Sequence, residues 1–215
     1  MAMAILEKTA MVFIDGNNFY HNIKTMKIKP SDIDFYKLTE LVCANFSFVR
    51  KKTIYYNSVP SIADGKDMYY AHMKFLSSIE KLPKFEVKIR KLQKSSTWEV
   101  QEEKKELIST LGLCDKCKPI VESNCLDCIG NVRKREKGID VMIAVDMLEV
   151  AIKNKCDCCI IISGDADFVP VLDLIKSNGK ECASAFLTRG YSYELREKHK
   201  FMILSRNLII EKCLK

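Results

Sequence analysis

Short apolar runs alternate along the chain with longer stretches whose apolar residues recur at helical spacing, the order expected of a parallel sheet wrapped by helices. AMVFIDG predicts a strand ending in a turn, and NNFYHNIKTM reads as the helix after it. SDIDFYKLTELVCANF predicts a second helix, opened by the capping residue Ser31 after Pro30. KKTIYYNSV, with β-branched and aromatic residues, predicts the next strand, and the spacing from about Gly65 to Lys81 is helical. KFEVKIRKL alternates and predicts a third strand. Beyond an irregular middle, GIDVMIAVDMLEVAIKN is a helix apolar around most of its girth, which predicts burial against the sheet. CDCCIIISG lacks alternation, the mark of a strand covered on both faces. DFVPVLDLIKSNG reads as a helix with Pro170 in its first turn and Gly179 at its end. KECASAFL predicts a fifth strand, SYELREKH a short helix and KFMILS a sixth strand. The expectation is an α/β fold, a three-layer α/β/α sandwich with a mostly parallel central sheet.

Residues 93–137 break this rhythm, being highly charged and cysteine-bearing without strand patterns, apart from a helix predicted near TWEVQEEKKELISTL. They read as an insertion into a single domain spanning 1–215. The 215 residues leave ample room for a core. A formal net charge of +7 favours polyanionic partners without choosing one. No run is long enough to cross a bilayer, which argues against a membrane protein. Ten cysteines behind a start that lacks a continuous apolar signal core point to a reducing compartment, so a cytoplasmic location is expected.

In an open parallel sheet, ligands gather at the carboxyl ends of strands. Asp15 in FIDGNN sits at such an end, as do Asp165 and Asp167 in ISGDADF. Asp140 opens a helix entered through Gly138 and can point into the same mouth. Each taken singly suits a cap or a helix-dipole partner, but four together are more economically explained by one metal site. Converging carboxylates repel, and magnesium or manganese is a natural neutraliser that keeps waters and takes phosphate oxygens as further ligands. Such a centre suits phosphodiester hydrolysis. Asp146, six residues after Asp140, lies roughly 600° round the helix and does not share its face, so it either supports the site or pairs with a basic group. Asn17 and Asn18 either bond a phosphate or a metal-bound water, or serve as turn and cap residues. Ser163 serves the tight turn or contacts phosphate.

The blocks FIDGNNFY, EKGIDVMIAVDML and SGDADFVPVL resemble, in order, the three signature blocks of the NYN family within the PIN-like nuclease superfamily. The resemblance runs over about residues 11–187, apart from the cysteine-bearing insertion. It implies a PIN-like sandwich and metal-dependent ribonuclease chemistry, with Asp15, Asp140, Asp165 and Asp167 at the family's acidic positions. The family also tends to carry an aspartate where Asp146 stands.

In the insertion, Cys114, Cys117, Cys125 and Cys128 have the spacing C-x2-C-x7-C-x2-C. Two such knuckles can close a tetrahedron around zinc at about 2.3 Å per sulfur, so a structural zinc is expected, with redox pairs or disulfides as the alternative. Cys156, Cys158 and Cys159 read as core filling. Arg90, Lys91 and Lys94, together with Arg133, Lys134, Arg135 and Lys137, form basic runs that either are solvated faces or guide the backbone of a single strand towards Asp140. Arg189 after the fifth strand is a candidate phosphate grip, and Tyr20, Tyr55, Tyr56 and Trp98 are candidate stacking surfaces. The combined expectation is a divalent-metal-dependent ribonuclease that cuts single-stranded RNA internally. The alternative is an RNA- or protein-binding regulatory module of the same fold. A phosphatase of the haloacid dehalogenase type is set aside because IDGNN lacks the second aspartate of that nucleophile motif. Homo-oligomerisation stays open.

Overall fold

The computed structural model describes residues 7–60, 62, 65–91, 93–94, 97–125, 134–135 and 138–215, with the backbone alone for 93–94, 97–101, 103, 125 and 134–135. Residues 1–90 and 138–215 form one compact unit, and residues 91–137 form a second. The first unit opens with β1 (Thr9–Asp15), α1 (Gly16–Thr25), α2 (Phe35–Asn45), β2 (Val49–Val59), α3 (Lys66–Glu80) and β3 (Phe85–Lys91). The second holds β4 (Gln93–Lys94), α4 (Thr97–Thr110), α5 (Cys117–Cys125) and β5 (Lys134–Arg135). The chain then completes the first unit with α6 (Ile139–Ile152), β6 (Cys158–Ile162), α7 (Val169–Ser177), β7 (Glu181–Leu187), α8 (Tyr193–Lys198), β8 (Lys200–Leu204) and α9 (Arg206–Lys212).

The six long strands make one parallel sheet in the order β3-β2-β1-β6-β7-β8. β1 and β6 are continuous apolar runs because they occupy its centre and meet helices on both faces. On one face Val12 and Ile14 pack with Phe19 and Ile23 of α1, Leu38 and Val42 of α2, Leu76 and Ile79 of α3, and Ile209 of α9. On the other, Met11 and Phe13 pack with Ile143 and Met147 of α6, Leu172 and Ile175 of α7, and Leu195 of α8. Each such side chain, fully buried, contributes about 1.5–3 kcal/mol. The chain thus builds outward from β1 to β3 under one layer of helices, then returns to the centre and builds outward from β6 to β8 under the other. Its direction reverses between β1 and β6, the switch point at whose carboxyl ends open α/β sheets gather their ligands.

Three sequence expectations need correction. Ser31 does not cap α2: Pro30–Asp32 form a separate 3-10 turn, and the Asp34 carboxylate accepts from the Lys37 N–H at 3.0 Å. α6 is not buried all round. Ile139, Ile143, Met147 and Val150 face the sheet, whereas Val141, Val145 and Ile152 are exposed, because a helix on an outer layer has only one side to cover. Tyr55 and Tyr56 are not stacking surfaces, since β2 is an interior strand and its alternate side chains enter the two opposite cores. α5 and α9 were not expected; α9 is opened by Ser205, whose hydroxyl accepts from the Leu208 N–H. Among the described residues no helix is long and apolar enough to cross a membrane.

In the second unit, β4 and β5 pair antiparallel, Gln93 with Arg135 and Lys94 with Lys134, so the insertion leaves and returns through one short ladder.

Candidate active site at the carboxyl edge of the sheet

The candidate site is built from the loops that leave β1, β6 and β7 and from the start of α6. Asp15, the last residue of β1, is almost wholly buried, and its Oδ1 accepts from the Asn18 N–H at 3.1 Å, which caps α1. Its Oδ2 accepts from the hydroxyl of Ser163 at 3.0 Å. Ser163 lies just past β6, and its oxygen also accepts from the Asp165 N–H at 3.2 Å. One serine therefore links the carboxylate of the first loop to the backbone of the second.

Asn18 adds a second tie, its Oδ1 accepting from the Gly164 N–H at 3.1 Å and from Asn22 Nδ2 at 3.0 Å. Gly164 in turn offers its carbonyl to the Ser192 N–H at 2.7 Å. A Cβ on Gly164 would lie 2.3 Å from the Gly190 carbonyl oxygen, so the β6 and β7 loops approach as closely as they do only because this residue has no side chain. Asn17 Nδ2 donates to Ser58 Oγ at 2.8 Å. Asn18 and Ser163 thus act as fasteners for the loops, Gly164 serves the tight turn, and Asn22 and Gly190 are site-building residues that the sequence does not single out. The DGNN block holds the signal for Asn22, since its side chain lies one helical turn beyond Asn18.

Asp165 is half-buried and caps the 3-10 turn Ala166–Phe168 by accepting from the Asp167 N–H at 3.0 Å. Asp165 therefore performs the helix-starting role, and the Asp167 side chain is left exposed. Asp140, in the first turn of α6, is half-buried too. Burial pushes its carboxyl above the ordinary range, and the charges of Asp165 and Asp167 push it further. The entry to α6 depends on Gly138, whose φ of +80° favours glycine and whose carbonyl accepts from Arg90 Nη1 at 3.2 Å.

Asp146 points elsewhere. Its Oδ2 accepts from Tyr56 Oη and Lys88 Nζ, each at 2.7 Å, on the flank of α6 that faces β3. Burial, then this hydrogen bond, pushes the Tyr56 phenol far above its usual range and keeps it protonated.

The donors at the mouth are hard carboxylate oxygens, and Asp140 is destabilised as an anion by its neighbours, a mismatch that a hard divalent cation corrects. The residues fit magnesium or manganese on that chemistry. Among the described residues, no three histidine, cysteine, aspartate or glutamate side chains stand together as a ready metal cage.

Among the described residues the expected four-thiolate zinc site is not assembled. Cys117 and Cys125 begin and end α5, which at 1.5 Å per residue separates them by about 12 Å, too far for both to bind one ion. Cys114 and Cys117 are exposed thiols, and a hydrogen bond from Cys117 lowers the Cys114 thiol below its usual value; Cys128 lies outside the described residues. Of the expected nucleic-acid contacts, Arg90, Lys91 and Arg189 are exposed. The side chains of Lys94, Arg133, Lys134, Arg135, Lys137 and Trp98 lie outside the described residues. Tyr20 is exposed on α1, with Lys24 Nζ 5.0 Å from its ring centre. Cys156, Cys158 and Cys159 are buried core residues.

Fold and site together define a doubly wound α/β sandwich of PIN-like architecture with an acidic switch point. The chain belongs to the NYN domain family, a PIN-like nuclease family whose model matches residues 9–205. It is similar in fold to a crystal structure described as a protein of unknown function from Vibrio parahaemolyticus, with a TM-score of 0.55 and 17% identity over 94% of this chain and 96% of that one. No curated protein matches it significantly.

Proposed function

We propose that this chain is a divalent-metal-dependent ribonuclease that cuts single-stranded RNA internally, with Asp15, Asp140, Asp165 and Asp167 as its acidic residues. The observation that carries the reading is the gathering of Asp15, Asp140, Asp165 and Asp167 on the strand exits and helix start at the switch point, where burial and the charges of Asp165 and Asp167 raise the Asp140 carboxyl and favour a cation. Membership of a nuclease family supports the same chemistry. Asp140, Asp165 and Asp167 would hold magnesium or manganese, and Asp15, oriented by Ser163 and Asn18, would complete the acidic wall. A bound cation supplies charge for the phosphate and lowers the pKa of a coordinated water. The ties among Asn18, Gly164 and Ser192 hold the loops so that the carboxylates keep their positions as substrate enters. The basic residues Arg90, Lys91, Lys94, Arg133, Lys134, Arg135, Lys137 and Arg189 would hold the RNA by contacts to its backbone phosphates.

A second reading is an RNA- or protein-binding module. It is favoured by the engagement of both Asp15 oxygens within the fold, which gives that aspartate a purely structural use. Cleavage assays on a panel of RNAs and single-stranded DNAs, with wild type and Asp165→Asn, separate the two. The nuclease reading expects internal cleavage of RNA with magnesium or manganese, none after chelation, and none by a folded Asp165→Asn variant. Cleavage that persists in that variant or in chelator removes it. RNA or protein binding without cleavage in any metal establishes the binding module.

A further inference from the structure

α1 runs from its cap Asp15 to its cap Met26, and its ten residues Gly16–Thr25 span about 15 Å at the helical rise. It crosses the carboxyl edge of the sheet, because Asn22 Nδ2 meets the Gly190 carbonyl at 3.5 Å and the Met26 carbonyl accepts from Arg206 Nε at 3.0 Å. At its far end, the last turn of α1 and the exits of β7 and β8 enclose a groove of about 410 Å³. Lys27, Thr188, Arg189, Ser205, Arg206 and Asn207 line it, and none of its lining residues is acidic.

Among the described residues the charges in this groove have no acidic partner. Arg189 and the Lys27 ammonium have no hydrogen bond or ion pair among the described residues, and Arg206 is anchored through Nε alone, leaving its terminal nitrogens to donate. A larger lysine-rich groove beside α6 differs in this respect. There Lys88 pairs with Asp146, Lys155 with Glu149 and Lys52 with Glu86, so most of its cations are already spent. Three cations converging on hydroxyl and amide groups without a carboxylate match the donor requirements of phosphate oxygens. Strands in a sheet stand about 4.8 Å apart, so two strand steps, together with the length of α1, place the groove roughly 10–15 Å from the β1/β6 mouth, along the same edge.

We infer that this groove is a subsite for the flanking backbone phosphates of a single-stranded RNA whose scissile phosphate lies at the aspartates. The inference rests on the proposed nuclease reading for its choice of ligand. Because the grip is on phosphate, it is indifferent to sequence, and it holds the strand at a fixed remove from the acidic mouth. That favours cleavage within a chain over removal of terminal nucleotides.

The test uses the full chain in chelator and a labelled oligouridylate of about a dozen nucleotides, with fluorescence anisotropy followed across a salt series. Arg189→Ala should reduce the slope of log affinity against log salt by about 1, and Arg189→Ala with Arg206→Ala by about 2, with binding weakened equally for other sequences. The single variant removes a side chain with no hydrogen bond or ion pair among the described residues, so it reports even where the double variant is unstable. Unchanged affinity and slope in Arg189→Ala overturn the subsite, whether or not the wild type cleaves. Variant-sensitive binding by a wild type that cleaves nothing in any metal keeps the groove as an RNA site and removes the nuclease. A wild type that binds no RNA overturns both.

Discussion

Ser163 donates its hydroxyl to Asp15 Oδ2 across 3.0 Å, joining residues 148 positions apart at the exits of the two central strands. The same oxygen accepts from the Asp165 N–H, so the two acidic loops are coupled through one buried side chain. Ser163→Ala leaves a buried carboxylate oxygen short of a donor, at a cost of about 1–3 kcal/mol. The expected outcome is a lower denaturation midpoint and reduced cleavage with little change in RNA affinity. Wild-type stability in that variant would show that the hydrogen bond is dispensable.

Gly164→Ala should be more damaging than its size suggests. The added methyl meets the Gly190 carbonyl at 2.3 Å and the Tyr191 Cα at 2.8 Å, both backbone atoms that move only if the β7 loop moves. Overpacking of this kind costs about 1–3 kcal/mol. Urea titration measures the loss, and the fast-exchanging amides should include Ser192, whose N–H bonds to Gly164.

Asp140 carries a pH signature. Its carboxyl is raised above the unfolded value by burial and by Asp165 and Asp167, so its contribution to stability is complete below the unfolded pKa and is lost as pH rises through the folded one. In chelator, Asp140→Asn is therefore expected to melt above wild type at pH 7, with the difference shrinking as pH falls into the carboxylate range. Magnesium reverses the order, because the cation stabilises wild type through a ligand that the variant has weakened. Thermal melts at the two pH values, with and without magnesium, decide it.

Asp146 should behave as a structural residue. Its carboxylate is held by Tyr56 and Lys88 on the flank of α6 away from Asp165. Asp146→Ala leaves the Tyr56 hydroxyl and the Lys88 ammonium without their acceptor, at about 1–3 kcal/mol. Cleavage by the folded fraction should stay within the wild-type order of magnitude, whereas Asp165→Asn should abolish it. A comparable loss in both would place Asp146 in the acidic centre.

Much of this was legible in the order of residues. The CCIII run of β6 has no alternation because helices cover both of its faces, and that alone marks a central parallel strand. The positions of Asp15 and Asp165 at strand exits follow from the same patterning. The six-residue spacing of Asp140 and Asp146 set them on different flanks of one helix. Burial of α6 was misread because composition reports how apolar a helix is without saying how much of it has a neighbour. Tyr55 and Tyr56 were misread because aromatic rings suit a stacking surface and a core equally well. The cysteine spacing C-x2-C-x7-C-x2-C permits a zinc fold, but the intervening residues make a helix that holds Cys117 and Cys125 apart.

The amino-acid sequence by itself determined the alternation of strands and helices, the two-sided burial of the central strands and the placing of acidic residues at strand exits. Those are consequences of local periodicity, of turn chemistry and of the need to bury apolar faces. Only the tertiary structure decided that Ser163 reaches Asp15, that Asn18 reaches Gly164, that Asp146 turns to Lys88, and that Lys27, Arg189 and Arg206 share a groove. These pairings join residues far apart in the chain. Their geometry depends on strand order and loop approach, which the periodicity of any one segment does not encode.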